Sequence, residues 1–256
     1  MSATPTADRP ITDPNWLRGH LEEERKRTEL LGEMRELLFG IQDGLTSVVV
    51  IVSAVAAATG DRFPVVVAGV SATLAGMFAM AVGEYTGSKA VLEIQKHEVA
   101  EEKEEVDDRR EEAIAEVAYM LETDGLSAES ARRVAEEIGT SPSALLKTMV
   151  EKEHGISTEI GAPPLQGAIV MGLAFGAGSI LPLIPYLFLP VATALVPSLG
   201  LSGIGVFVLG VVKSRWTKKN PLASGLELVL LTAGAGVAGY VFGSVLPGLF
   251  GVRPVG

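Results

Sequence analysis

The sequence predicts an all-α, polytopic membrane protein, with five transmembrane helices and a three-helix, cytoplasmic, acidic insert between spans two and three. Three observations predict it. First, charge is missing from long blocks: no Asp, Glu, Lys or Arg lies between Arg62 and Glu84, nor between Glu159 and Lys213. A helix needs about 20 mainly apolar residues to cross the hydrocarbon core, and these blocks supply them. Second, the chain is 48% hydrophobic but only 5% aromatic, and it holds 29 glycines. That balance suits close helix packing in lipid better than a soluble core. Third, the net charge of −10 is uneven: Glu93 to Glu159 holds nineteen acidic residues against eight basic ones. An acidic segment attracts cations and repels nucleic acid. With no cysteine in the chain, disulfides and thiolate metal sites are excluded.

Residues 1–38 form a cytoplasmic N-terminal region. Within it Trp16 to Leu38 reads as an amphipathic helix, with Leu17, Leu21, Leu30, Leu31, Met34 and Leu37 apolar among charges. It either lies along the membrane surface or leads in solvated. Met1 to Leu31 lacks the apolar core of a signal peptide, so the first span is expected to act as the insertion signal. Residues 39–90 carry spans one and two. Span one runs from about Phe39 to Thr59, interrupted only by Asp43; Gly60-Asp61-Arg62 turns the chain; span two runs from about Phe63 to Gly87. Pro64 sits where a helix start tolerates it.

Residues 91–160 form the acidic helical domain, read as three helices. The first carries the charged run from Val91 to about Glu122, and Asp124-Gly125 ends it, with glycine suited to a left-handed cap. Ser127 caps a short second helix that Gly139 ends. Ser141-Pro142 opens the third, to about His154, with a capping serine and a proline at the first helical position. Residues 161–250 hold spans three to five, at about Leu165 to Leu187, Ala192 to Val212 and Leu222 to Leu249. Pro182, Pro185, Pro190 and Pro197 cluster near the middle of the uncharged block and divide it. Residues 251–256 are a tail. Lys213, Arg215, Lys218 and Lys219 crowd one loop, and Arg25, Lys26, Arg27 and Arg35 precede span one. The positive-inside rule therefore puts the N-terminus, the insert and that loop in the cytoplasm, and the C-terminus on the other side.

An ionisable residue inside a span costs about 2.5–3.5 kcal/mol on insertion scales, so Asp43, Glu84 and Glu227 stand out. Each lies near its cytoplasmic end, where interfacial water is within reach, and for Glu227 that plain reading is preferred. Met77, Met80 and Glu84 share a helical stripe, a mixed soft and hard ligand set suited to Fe²⁺ or Mn²⁺. Ordinary packing of methionine in a membrane core explains the same stripe.

In the insert, Glu98, Glu102, Glu105, Glu112 and Glu116 form another stripe, with Arg109 in its gap. An apolar stripe of Val99, Val106, Ala113, Val117 and Met120 runs beside it, and Met149 and Glu153 share a face of the third helix. Packed together, these carboxylates match what hard divalent cations take, oxygens at about 2.0–2.6 Å. A solvated acidic face has the same pattern. His20, His97 and His154 are too scattered to make a spacing motif, although His97 and His154 flank the insert. No phosphate loop, nucleophile motif or HExxH is present, so the chain reads as no enzyme and implies no cofactor.

The order of parts resembles the vacuolar iron transporter family. The resemblance rests on Asp43-Gly44-Leu45-Thr46, Met80-Ala81-Val82-Gly83-Glu84-Tyr85, Gly125-Leu126-Ser127, the run Leu145 to Glu153, and Pro182-Leu183-Ile184-Pro185-Tyr186. It covers about Leu38 to Leu246. The resemblance implies a homodimer of five-span subunits exporting cytosolic Fe²⁺, in some members Mn²⁺, in exchange for protons. It implies that Asp43 and Met80 line the path. It also implies that Glu102, Glu105, Glu112, Glu116, Met149 and Glu153 collect metal ions. Several family members carry a second acidic residue in span two, where this chain has Ala72. A membrane-anchored metal sensor or buffer that transports nothing would show the same stripes.

Overall fold

The computed structural model describes residues 13–156 and 163–249, and among them every element is an α-helix. The expected tail at 251–256 and the end of the insert at 157–160 lie outside the described residues. The helices are α1 (Pro14–Thr59), α2 (Arg62–Asp108), α3 (Arg110–Thr123), α4 (Ala128–Ile138), α5 (Pro142–Glu153), α6 (Pro164–Phe188), α7 (Val191–Thr217) and α8 (Pro221–Leu249). Five of them, α1, α2, α6, α7 and α8, are long and apolar enough to cross a membrane. The chain divides into two compact units, one of residues 1–84 with 165–256 and one of residues 85–164.

Two long helices differ from expectation. The amphipathic segment and span one are one helix of 46 residues, and α2 runs on for 47 residues into the charged region. No proline or capping glycine interrupts either, so the change in composition marks a change of surroundings and not a helix end. The charged run then breaks at Arg109, whose backbone (φ −130°, ψ 44°) leaves the helical region. The expected helix of Val91 to Glu122 is therefore two pieces, the end of α2 and α3. Asp107 and Asp108 close α2 with negative charge where the helix dipole disfavours it. Of the four prolines, only Pro190 sits at the break between α6 and α7; Pro182, Pro185 and Pro197 lie within helices.

Glycines position the first unit. Gly60 ends α1 in the left-handed region (φ 62°), its N–H donating to Ala56 O. A Cβ on Gly44 would stand 2.1 Å from Phe175 O, and one on Gly178 2.2 Å from Ile41 O, so α1 and α6 touch backbone to backbone. On α8, a Cβ on Gly239 would stand 2.6 Å from Val50 O and one on Gly243 2.0 Å from Ala54 O of α1. Gly172 and Gly176 of α6 receive Met77 and Ala81 of α2. Val48, Val52, Val65, Leu183, Tyr186 and Ala194 fill the core between these helices. Ser198 of α7 donates to Pro182 O at 2.7 Å, which satisfies a buried hydroxyl inside the apolar bundle.

The second unit packs Val106 of α2, Ala113 and Val117 of α3, Ala135 of α4 and Leu145 and Met149 of α5 into one core. Gly125 takes φ 107° after α3, and Leu126 N–H returns to Leu121 O, so the left-handed stop is built as its position requires. Ser127 and Ser141 cap α4 and α5 through the N–H groups of Ser130 and Ala144. Arg110 ties α3 to the end of α4 by donating to Gly139 O.

Overpacking a close contact costs about 1–3 kcal/mol, and for this size each kcal/mol shifts a melting midpoint by about 2–4 °C. Gly178→Val and Gly243→Val are therefore expected to lower the midpoint of the detergent-solubilised protein by about 2–12 °C. Gly234→Ala, where an added Cβ meets nothing within 4 Å, is the control and should leave it unchanged. Equal midpoints for all three would refute the backbone-contact account.

Candidate metal sites

In the first unit one hollow of about 290 Å³ gathers the ligand-type residues. α2 supplies Met80 and Glu84, one turn apart, together with Ala79 and Gly83; α6 supplies Met171; α1 supplies Arg35 and Phe39. The docking of α2 on α6 explains which methionine faces where. A Cβ on Gly176 would meet Met77 Sδ at 2.7 Å, so Met77 is spent on packing and leaves Met80 for the hollow. Asp43 lies outside that hollow. It is half-buried beside the Gly44 contact, and its Oδ1 accepts from Ser47 Oγ at 3.1 Å on the same helix. Ala72 is half-buried, and Glu227 is exposed on α8.

Two residues of this region escaped the sequence reading. Met171 is buried on α6 and adds a second thioether; a lone methionine in an apolar span gives no spacing signal. Glu36 lies on α1 with its carboxylate against Gly167, where a Cβ would stand 3.0 Å from both oxygens. It is within electrostatic reach of Glu84. Glu36 stands seven residues before Asp43, on the same helical face, and that spacing could have found it.

The second unit brings most of the glutamate stripe together. Arg109, at the break, donates from Nη2 to Glu105 at 3.1 Å and from Nη1 to Glu112 at 3.2 Å. The helix break and this clamp are one feature, because the guanidinium sits between the two turns whose charges it pairs. Glu116, on α3, is half-buried and surrounded by its own kind. Burial pushes its carboxyl above the usual range, and the charges of Glu105, Glu153 and Glu112 push further, with a hydrogen bond to Glu105. Met149 is fully buried in the apolar core beside this cluster.

Glu102 is the buried carboxylate of the unit, 8% exposed. Its Oε1 lies 3.0 Å from His154 Nε2, and Glu98 Oε2 lies 3.7 Å from His154 Nδ1. Its Oε2 is buried with no hydrogen-bond partner among the described residues. Glu102, Glu153 and His154 each bring one ligand-type atom to a common point, all within 4.8 Å of one another. The hydrogen bond to Glu102 raises the His154 pKa above the ordinary histidine value; burial opposes this, and the charges of Glu102, Glu153 and Glu98 add to it. The charged pair thus stabilises the metal-free unit fully below that ordinary value and is lost as pH rises through the raised one. His97 is exposed and pairs with Glu101, so it does not meet His154.

The raised pKa of Glu116 works in the opposite direction from a stabilising salt bridge. Between the unfolded value and the raised one the folded unit holds more protons than the unfolded chain, so its metal-free stability falls as pH rises. Within that window a divalent ion competes with the proton for Glu116. Mn²⁺ should therefore raise the melting midpoint of the full chain more at pH 7.5 than at pH 6. Glu116→Gln should raise the metal-free midpoint at pH 7.5 by about 1–3 °C, on a relief of under 1 kcal/mol, and shrink the Mn²⁺ shift. A pH-independent Mn²⁺ shift that the variant retains would remove Glu116 from the site.

The VIT family profile matches residues 34–244 of the chain. Vacuolar iron transporter 1 of Tulipa gesneriana is 27% identical over 220 residues, 86% of this chain and 89% of that protein. Vacuolar iron transporter 2 of Oryza sativa subsp. japonica is 28% identical over 222 residues, 86% of this chain and 90% of that protein. Vacuolar iron transporter cccA of Arthroderma benhamiae is 30% identical over 215 residues, 79% of this chain and 77% of that protein.

Proposed function

The chain belongs to the VIT family, and from that premise we propose that it exports Fe²⁺ or Mn²⁺ from the cytosol across a membrane. Protons move in exchange, and the working unit is a homodimer. The relatives it matches are named as iron transporters, not as enzymes. The observation that carries the reading is the convergence of Met80, Met171 and Glu84 on one hollow inside apolar, span-length helices. Two thioethers and a carboxylate suit a partly dehydrated, borderline divalent ion, and an ionisable side chain in a span-length apolar helix points to function.

Residues 91–160 act as a cytoplasmic metal-binding domain in which Glu102, Glu105, Glu112, Glu116, Met149 and Glu153 collect ions. The spans of residues 39–90 and 161–250 carry them. Asp43, whose Oδ1 accepts from Ser47 Oγ on its own helix, exchanges a proton as an ion passes. The dimer is supported by the exposure of α2. Only 11% of its most apolar window is buried, the least of the five candidate spans, although this helix carries Met80 and Glu84. A second copy against α2 would shield those groups from lipid. The N-terminus and acidic domain face the cytosol, with the C-terminus opposite, because Lys213, Arg215, Lys218 and Lys219 follow α7 or close it.

In proteoliposomes, Fe²⁺ and Mn²⁺ uptake should follow an imposed pH gradient. Met80→Ala should lower the rate about tenfold, the scale of losing one metal contact. Asp43→Asn should uncouple the two fluxes, leaving uptake that no longer responds to the gradient. Correctly inserted wild-type protein that moves neither ion would leave a sensor or buffer of metal ions in its place.

A further inference from the structure

We infer that His154 is a metal ligand, binding a divalent ion through Nε2 together with Glu102 and Glu153, and that this nitrogen selects transition ions against Mg²⁺ and Ca²⁺. The inference rests on the reading of residues 91–160 as a metal-binding domain, and goes beyond the carboxylate and thioether set proposed there.

Three features of the second unit support it. The first is Glu102, nine-tenths buried, with Oε2 enclosed and without a hydrogen-bond partner among the described residues. A carboxylate oxygen is seldom left so, because burial strips its water and nothing here replaces it. A cation held by that oxygen would. The second is placement: Glu102, Glu153 and His154 converge within 4.8 Å although they come from α2 and the end of α5. Helix α5 stops at His154, and Gly155 turns the chain away in the left-handed region (φ 64°), which leaves the imidazole directed at α2. The third is Glu98, whose Oε2 lies 3.7 Å from Nδ1. A histidine that binds metal through one nitrogen usually donates its other N–H to a carboxylate, which fixes the ring. Glu98 is one helical turn before Glu102, so α2 supplies both the ligand and a carboxylate at ion-pair distance from the other ring nitrogen.

The chemical consequence is selectivity. Carboxylates alone accept Mg²⁺, Ca²⁺ and Mn²⁺ readily, whereas imidazole suits Fe²⁺, Co²⁺ and Zn²⁺. A site of two carboxylates and one nitrogen is thus tilted toward the transition ions, in a cytosol where Mg²⁺ is the abundant competitor. His97, exposed and paired with Glu101, has no such surroundings and serves as the control.

The test uses the full chain in detergent, loaded with one equivalent of Mn²⁺, and reads nitrogen modulation of the Mn²⁺ electron spin echo. Wild type and His97→Gln should show it, and His154→Gln and His154→Asn should not. Titration with Co²⁺ should show about a tenfold loss of affinity in both His154 variants, with Ca²⁺ affinity unchanged. Two variants are used so that one which misfolds, seen as a lost melting transition, does not decide the outcome. Bound Mn²⁺ without nitrogen modulation, or modulation that survives both His154 substitutions, overturns the ligand assignment and leaves the acidic domain standing. Failure of the wild type to bind Mn²⁺ at all overturns the domain reading, and the inference with it.

Discussion

Helix α1 is gripped from two sides by glycines, and the geometry of the membrane unit follows from that grip. On one side Gly178 meets Ile41 O and Gly44 meets Phe175 O; on the other Gly239 and Gly243 meet Val50 O and Ala54 O. Lipid offers no hydrophobic drive between helices, so van der Waals contact at close backbone approach is what holds them. The same α6 that presses on α1 presents Gly172 and Gly176 to Met77 and Ala81 of α2. Through it, the helix of Asp43 and the helix of Met80 are set relative to a common partner. Phe175 shows how tight the arrangement is, because its ring would meet a Cβ on Gly76 at 2.2 Å while its carbonyl lies against Gly44.

A different constraint governs the second unit, where like charges must be tolerated. The metal-free domain manages its glutamates with resident cations and protons. Arg109 pairs Glu105 and Glu112, His154 pairs Glu102, and burial with like charge favours a proton on Glu116. The apolar core of Val106, Ala113, Val117, Leu145 and Met149 lies beside these groups and supplies the cohesion that the charges oppose.

What was legible in the sequence was what is local or periodic. Gly125, Ser127 and Ser141-Pro142 act within one turn of chain, and their backbone and hydrogen bonds are those the residues call for. The uncharged blocks gave span-length helices because hydropathy reads transfer into lipid directly. Helix ends inside α1 and α2 were misplaced because a boundary between lipid and water does not stop a helix. The break at Arg109 carries no glycine or proline to announce it. In the sites, periodicity put Glu102, Glu105 and Glu116 on one face, and the structure draws them toward α5. Met171 and His154 were not distinguished, since each acquires meaning from a helix distant in sequence, whereas Glu36 was overlooked although its spacing from Asp43 on α1 is local.

The resident cations also bear on what kind of binding the acidic domain can achieve. An ion that settles among these carboxylates competes with a proton for Glu116 and with Arg109 for Glu105 and Glu112. Each competition subtracts from the affinity that bare carboxylates would give. For a store that subtraction would be a defect. For a carrier it is useful, because an ion held too firmly is not passed on, and one that competes with a proton is released where protons are abundant.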